Sequence, residues 1–423
     1  MRILAIYRHY WPDATPYARL LRAILEDQVK LGRAATVFTA QPSYNDIACD
    51  KQLANEQLNG VKIRRISLLP EKKQLRFLRA VNFMVFLFRA TWHVLWNRQY
   101  DLIIANTHPP VVMGAVLRLI RRLTGIPFLL HCQDIHPESL VIAGQLRNGP
   151  IERFLRRVDT KNCAAAAKVV TLSEDMNQTL QRRDGYSADN LAVINNFALD
   201  VYQPAETIPT LFNDTPERPF RVFFAGNMGH FQDLPRLLKA AQELRAESNI
   251  QFLFMGTGAE LKNLRRLAAD LIGKTVFFES FQPVEVAFAC MSRSDLGVVS
   301  LCKGVYQVAY PSKTMTYLAA GCPLLLLAEA ESQLAIDVQT HKLGYVPASL
   351  TSQEIADTIL TAYHMRERWA PAAREELVLR SEQLFGKSNM FKQWSDLLGK
   401  LSLDLNLPSI ALPKHHSSHR KAA

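Results

Sequence analysis

The run Pro323-Leu-Leu-Leu-Leu-Ala328 constrains this chain more than any other stretch. It is apolar without alternation, and a strand of that kind must be covered on both faces, as strands of parallel sheets are. Upstream, Tyr310-Pro-Ser-Lys-Thr-Met-Thr-Tyr-Leu-Ala-Ala-Gly321 reads as loop, helix and tight turn. Pro311 suits a loop or a first helical position, where its missing N–H costs nothing. Ser312 or Thr314 is expected to cap a helix over about Thr314–Ala320, with Gly321 tolerating the left-handed turn at its end. The free N–H groups of such a helix start, with Lys313 and two hydroxyls beside them, can receive a phosphate or diphosphate; an ordinary buried helix–turn–strand unit with a surface lysine fits the local sequence equally well.

Strand followed by helix recurs along the chain. In the first half the strands are Arg2–Tyr7, Ala35–Ala40, Val61–Ser67, Leu102–Ala105, Phe128–His131, Val169–Leu172 and Leu191–Ile194. A second series begins at Phe220, with strands at Val222–Ala225, Gln251–Met255, Val276–Phe278, Asp295–Leu301, Pro323–Ala328 and Gly344–Pro347. Between them, residues 201–219 carry four prolines and no periodicity, a linker. Strand–helix–strand at this spacing implies parallel sheets with right-handed crossovers. The expected division is 1–200, the linker, 220–380, a terminal helix over 381–402 and a basic, frayed tail over 403–423.

Length and composition exclude several classes. The 423 residues suggest two or three domains. Six scattered cysteines without a C-x-x-C pair argue against a zinc ribbon or disulfide framework, and fit a reducing compartment. Charge returns at Arg8, so no secretory apolar core exists, and no window reaches 18 apolar residues; a cytoplasmic setting is expected. The net charge of +11 is concentrated. Between Lys62 and Arg98 stand nine basic residues against Glu71 alone, a pattern that seeks a polyanion.

Within that basic region lies Leu75–Trp96, where Arg79, Asn82, Arg89 and His93 form one narrow stripe on an otherwise apolar helix. A surface helix packed on a sheet would show this pattern; so would a helix lying in a lipid interface, with Trp92 and Trp96 at headgroup depth and Arg76, Arg79 and Arg89 on lipid phosphates. The surrounding charge favours the interface.

Candidate chemistry gathers at strand ends. No glycine falls between Met1 and Leu31, against a nicotinamide or flavin fold. Gly256-Thr-Gly258 supplies two-thirds of a phosphate-loop motif, and Gly226, Asn227, Gly229 and Gln232 follow another strand. Together with Phe281 for a base and Ser312, Lys313, Thr314 and Thr316 at the motif helix, they suit a nucleoside diphosphate. No Asp-x-Asp pair or metal-spaced cluster occurs, so the diphosphate charge is expected to fall on Lys313, backbone N–H groups and a helix end, with no metal or other cofactor. Past Phe128–His131, the loop Cys132-Gln-Asp-Ile-His-Pro-Glu-Ser139 groups Asp134, His136 and Glu138 where open sheets place ligands.

The ordered set of motifs resembles the family-4 retaining glycosyltransferases of the GT-B fold, in the branch that builds bacterial envelope polysaccharides of the colanic acid or O-antigen type. The resemblance rests on Gln133-Asp-Ile-His-Pro-Glu-Ser139, Val170-Thr-Leu-Ser-Glu174, Val193-Ile-Asn-Asn196, Ala225-Gly-Asn-Met-Gly229 with Gln232, Met255-Gly-Thr-Gly258, Asp295-Leu-Gly-Val-Val-Ser300 and Pro311-Ser-Lys through Ala320-Gly-Cys-Pro323. It implies two facing Rossmann-like domains, a nucleotide-sugar in the second, an acceptor in the first, and a terminal helix crossing back. Lys313 would stabilise the leaving diphosphate, and Asp134 or His136 would orient the acceptor hydroxyl. The basic first domain and the Leu75–Trp96 helix suit an anionic, greasy acceptor, so a lipid-linked saccharide at the inner face of the cytoplasmic membrane is expected, and no nucleic acid partner. Many members hold the donor ribose with a Glu where this chain has Thr316, and carry an Arg and a Lys where it has Asn227 and Gln232. A nucleotide-sugar epimerase of the same fold and a non-catalytic membrane-binding scaffold are the rival readings.

Overall fold

A computed structural model describes residues 1–13, 15–42, 51–69, 76–198, 205, 207–213 and 217–407. Its first sheet comprises β1 (Arg2–Ile6), β2 (Ala34–Ala40), β3 (Asn55–Leu58), β4 (Val61–Ile66), β5 (Leu102–Asn106), β6 (Phe128–His131), β7 (Lys168–Thr171) and β8 (Leu191–Val193), ordered β3-β4-β2-β1-β5-β6-β7-β8. The second comprises β9 (Phe220–Ala225), β10 (Ile250–Met255), β11 (Val276–Glu279), β12 (Leu296–Ser300), β13 (Leu324–Leu327) and β14 (Gly344–Tyr345), ordered β11-β10-β9-β12-β13-β14. Both are parallel apart from the β3–β4 pair, so the expected α/β architecture of two Rossmann-like halves holds. The apolar run that demanded a doubly covered strand is β13. Leu324 and Leu326 enter one core cluster while Leu325 and Leu327 enter the other, so neither face carries a polar residue.

The edge strand β3 departs from expectation. It pairs antiparallel with β4 through a two-residue turn at Asn59 (φ 48°) and Gly60 (φ 85°). Asn-Gly is the usual chemistry of such a turn, since both central residues need positive φ. Apolar periodicity misses it because Asn-Glu-Gln-Leu carries one apolar residue.

The motif helix spans Lys313–Ala319, and neither expected hydroxyl caps it: Ser312 is already helical and makes no side-chain cap bond. Tyr317 holds the helix in place instead. Its hydroxyl accepts from Ala225 N at 2.8 Å and donates to Phe223 O at 3.1 Å, taking hydrogen bonds that a strand neighbour would otherwise make. Gly297 on β12 leaves room for the ring, because a Cβ there would collide with Tyr317.

Part of the linker is packed. Phe212 is fully buried, its ring 4.9 Å from that of Phe223, while Asn213 O accepts from Arg221 Nη2 at 2.6 Å. At the far end, helix Pro371–Phe385 packs against the motif helix and Gly386 opens a second helix, Lys387–Asp404. That helix returns to the first sheet, where Met390, Trp394, Leu398 and Leu401 join the cluster of Ile3, Tyr7 and Leu21. The basic tail expected beyond it lies outside the described residues from 408 onward.

Candidate active site

An open parallel sheet binds ligands past its carboxyl ends, where neighbouring strands diverge to opposite sides. That point lies between β9 and β12 in the second sheet and between β1 and β5 in the first. The loops after β6 and β12 meet: Ile135 N donates to Val308 O at 2.8 Å, and Asp134 forms a backbone bridge with Ala309. Both sets of carboxyl ends therefore border one cleft, and the contact puts Asp134 beside the loop that leads into Lys313.

A cavity of about 180 Å³ opens at the β9–β12 switch point, lined by Phe224, Gln232, Ser300, Tyr310, Ser312 and Lys313 among others. Lys313 Nζ lies 3.6 Å from the Phe224 ring centroid, sealed from solvent and without a hydrogen-bond partner. Burial pushes its pKa down to about 7. Ser300 Oγ, on the last residue of β12, is equally buried and unpartnered. Isolated charges and hydroxyls are costly inside a protein, so two of them at one cavity mark a place arranged for a polar ligand. Thr314 is fully buried, its hydroxyl also unpartnered; Ser312 is exposed and Thr316 half-buried.

The glycine loops around the cavity serve packing. Gly226 (φ 125°) lets Lys313 cross it, for a Cβ there would stand 2.8 Å from Lys313 Cε. A Cβ on Gly256 would collide with Gly226 O, and one on Gly258 with Met228 O. Thr257 O and Met228 O accept from Met228 N and Glu260 N, so the two loops form one interlocked backbone unit. Gln232 spends its Oε1 on Gly229 N at 3.0 Å, with the exposed Asn227 beside that glycine. Phe281, expected against a base, stands 67% exposed past β11.

In the first half, Asp134 is half-buried, and desolvation raises its pKa to about 6. His136 is held neutral by burial, its pKa lowered to about 4, with Nδ1 2.7 Å from Ser139 Oγ. Arg183 fixes this loop: it donates to His136 O at 2.6 Å, to both Glu138 oxygens at 3.0 and 2.7 Å, and to Asp159 at 2.7 Å. Arg8, whose guanidinium stacks 4.1 Å over Phe83, and His9, paired with Asp13 at 2.7 Å, stand past β1. Sequence reasoning missed Arg8, His9, Arg183 and Ser300. The last had a signal, a lone hydroxyl closing an apolar strand.

The Arg76–Trp96 helix buries Phe86, Leu87, Ala90 and Val94 in the core, so the packed-helix expectation holds for that face. Arg79, Arg89, Trp92 and Trp96 are exposed on the other; the side chain of Arg76 lies outside those described. Helix Val112–Thr124 packs beside it and helix Pro150–Ala165 beside that, exposing Leu119, Leu123, Ile151 and Phe154. No described helix is long and apolar enough to cross a membrane.

Two parallel sheets whose carboxyl ends share a cleft, with a last helix crossing back, define the GT-B architecture. Residues 14–196 match the Glycosyl transferase 4-like domain and residues 211–376 the Glycosyl transferases group 1 family. The chain belongs to the glycosyltransferases of this fold. It is 28% identical over 255 residues to "Probable glycosyltransferase WbjE" of Pseudomonas aeruginosa, an alignment covering 59% of this chain and 62% of that protein. It is 23% identical over 349 residues to WcaI of Escherichia coli (strain K12), named for colanic acid biosynthesis, across 79% of this chain and 85% of the relative. Among solved structures, Anabaena HepE with UDP superposes with a TM-score of 0.66 at 15% identity, over 95% of this chain and 100% of that one. Sucrose-phosphate synthase of Thermosynechococcus elongatus gives 0.68 at 16%, over 95% and 99%.

Proposed function

We propose that the chain transfers a sugar, with retention of anomeric configuration, from a nucleoside-diphosphate sugar to a lipid-linked saccharide during envelope polysaccharide synthesis. The observation that carries this is the Lys313 ammonium and Ser300 hydroxyl, buried without hydrogen-bond partners at the switch-point cavity. A diphosphate there would satisfy Lys313 and keep it charged as the leaving group develops negative charge. Support for the donor comes from HepE, solved with UDP and with UDP-glucose, and for the pathway from WcaI's name. No divalent ion is needed in this scheme, since Lys313 and the backbone N–H groups of the motif helix would meet the diphosphate charge.

Asp134, or the neutral His136, would orient the acceptor hydroxyl against the donor's anomeric carbon. The lipid-linked acceptor and a peripheral position on the inner face of the cytoplasmic membrane rest on the exposed arginines and tryptophans of the Arg76–Trp96 helix. A panel of nucleotide-sugars in thermal shift identifies the donor, because a ligand of the native state raises its melting temperature. Transfer to a lipid-linked saccharide in EDTA, with NMR of the product anomer, then tests mechanism. Failure of every nucleotide-sugar to shift the melt would overturn the reading, and sugar interconversion without acceptor would replace it with an epimerase.

A further inference from the structure

A second cavity, about 750 Å³, lies in the first half between the Arg76–Trp96 helix and the β3–β4 hairpin. One wall is aromatic: the Phe88 and Trp92 rings stack at 6.3 Å and the Trp92 and Trp96 rings at 4.0 Å. All three are exposed. The lining also includes Arg64, Arg65 and Arg89 and, among the described residues, no carboxylate. Their states differ. Arg65 is already committed, to Glu56 at 2.7 Å and to Leu53 O and Trp11 O. Among the described residues Arg64, which is exposed, makes no hydrogen bond or ion pair, and Arg89 reaches only Ser67 O at 3.4 Å. At the floor, His93 spends its ring nitrogens on Tyr100 at 2.9 Å and Asn97 at 3.2 Å.

We propose that this groove binds one anionic phospholipid, its phosphate on Arg64 and Arg89 and the start of its acyl chains along Phe88, Trp92 and Trp96. The unpaired guanidinium of Arg64 and that of Arg89, held by one long hydrogen bond, match a phosphate in charge and in hydrogen-bond geometry. Tryptophan rings with apolar bodies and one polar N–H suit the headgroup boundary. A single-stranded nucleic acid would also use arginine and stacking. The exposed Leu119, Leu123, Ile151 and Phe154 of the adjoining helices favour lipid, since they alternate with the exposed Arg121, Arg122, Arg153 and Arg157 to continue the surface as a mixed apolar and basic face, of which a nucleic acid backbone would engage the arginines alone. The groove deepens the membrane part of the proposed function and rests on it: a discrete lipid site would fix the depth and rotation at which the cleft meets its acceptor.

Tryptophan fluorescence of the full chain, titrated with monomeric dihexanoyl phosphatidylglycerol below its micelle concentration, tests this. A saturable response is expected, weakened at least tenfold in Arg64→Ala/Arg89→Ala, with dihexanoyl phosphatidylcholine and inorganic phosphate each binding at least tenfold more weakly than the anionic lipid. Unchanged affinity in the variant, equal binding of phosphate alone, or tighter binding of octathymidylate would overturn the lipid site. Circular dichroism melting confirms that the variant is folded. Sedimentation with phosphatidylglycerol vesicles separates the two readings: vesicle binding without a saturable monomer response sinks the groove and spares the membrane surface, whereas loss of both sinks both.

Discussion

Lys313 is held without a hydrogen-bond partner at a pKa of about 7, so the nucleotide-free protein keeps a lysine that is about half neutral near that pH. Binding a diphosphate through an ammonium then requires proton uptake above that pH. Affinity for a nucleoside diphosphate is expected to be greatest below pH 7 and to fall about tenfold per unit above it. Lys313→Ala should cost about 1.5–3 kcal/mol of binding at pH 6.5, the worth of a hydrogen bond to a charged group, and flatten the pH slope; calorimetry reads both. Linkage gives the opposite trend for folding. Between the folded pKa near 7 and the ordinary 10.5, the unfolded chain binds more protons, so stability without nucleotide rises with pH across that window. Arg183 makes a second residue-scale case. Replacing it by Met leaves the Glu138 and Asp159 carboxylates without their buried counter-charge and should lower unfolding free energy by about 3–5 kcal/mol in urea denaturation, with Arg183→Lys recovering part.

At the scale of elements, the loops after β9 and β10 act as one unit because each glycine lies where the other backbone passes. Gly256 at φ 135° is both sterically blocked and in a backbone region closed to L side chains. Gly256→Ala is expected to destabilise by about 1–3 kcal/mol or more and to weaken nucleotide binding, seen as a lowered melting temperature and a reduced ligand shift. The Arg76–Trp96 helix carries a different prediction. Its buried face secures the fold and its exposed face the surface chemistry, so Glu at Arg79 and Arg89 should release the protein from anionic vesicles while leaving its melting temperature nearly unchanged. Vesicle sedimentation at rising salt checks this.

For the whole molecule, the Lys387–Asp404 helix ties the halves together, and Trp394 is its largest buried contact, set edge-on to His131 at 5.1 Å. Trp394→Ala should cost about 3–5 kcal/mol, read by denaturant unfolding, and loosen the register of the cleft. Much of this architecture was legible in the chain. Strand after strand declared itself by apolar runs, Phe128–His131 to the residue, and Lys313 stood out beside a helix start. The hairpin at Asn59-Gly60 escaped because its edge strand is polar. Arg8 and Arg183 escaped because a lone polar residue has no period and their partners, Phe83, Glu138 and Asp159 among them, lie tens of positions away; Ser300 escaped because the cavity it borders is assembled only by the fold. By itself, the order of amino acids determined that two parallel sheets must form, since covered strands and amphipathic helices follow from local spacing and the avoidance of water. Which polar atoms stay unpaired, and that Lys313 and Ser300 share one cavity, only the tertiary structure decided, because desolvation depends on what packs around an atom and not on its neighbours along the chain.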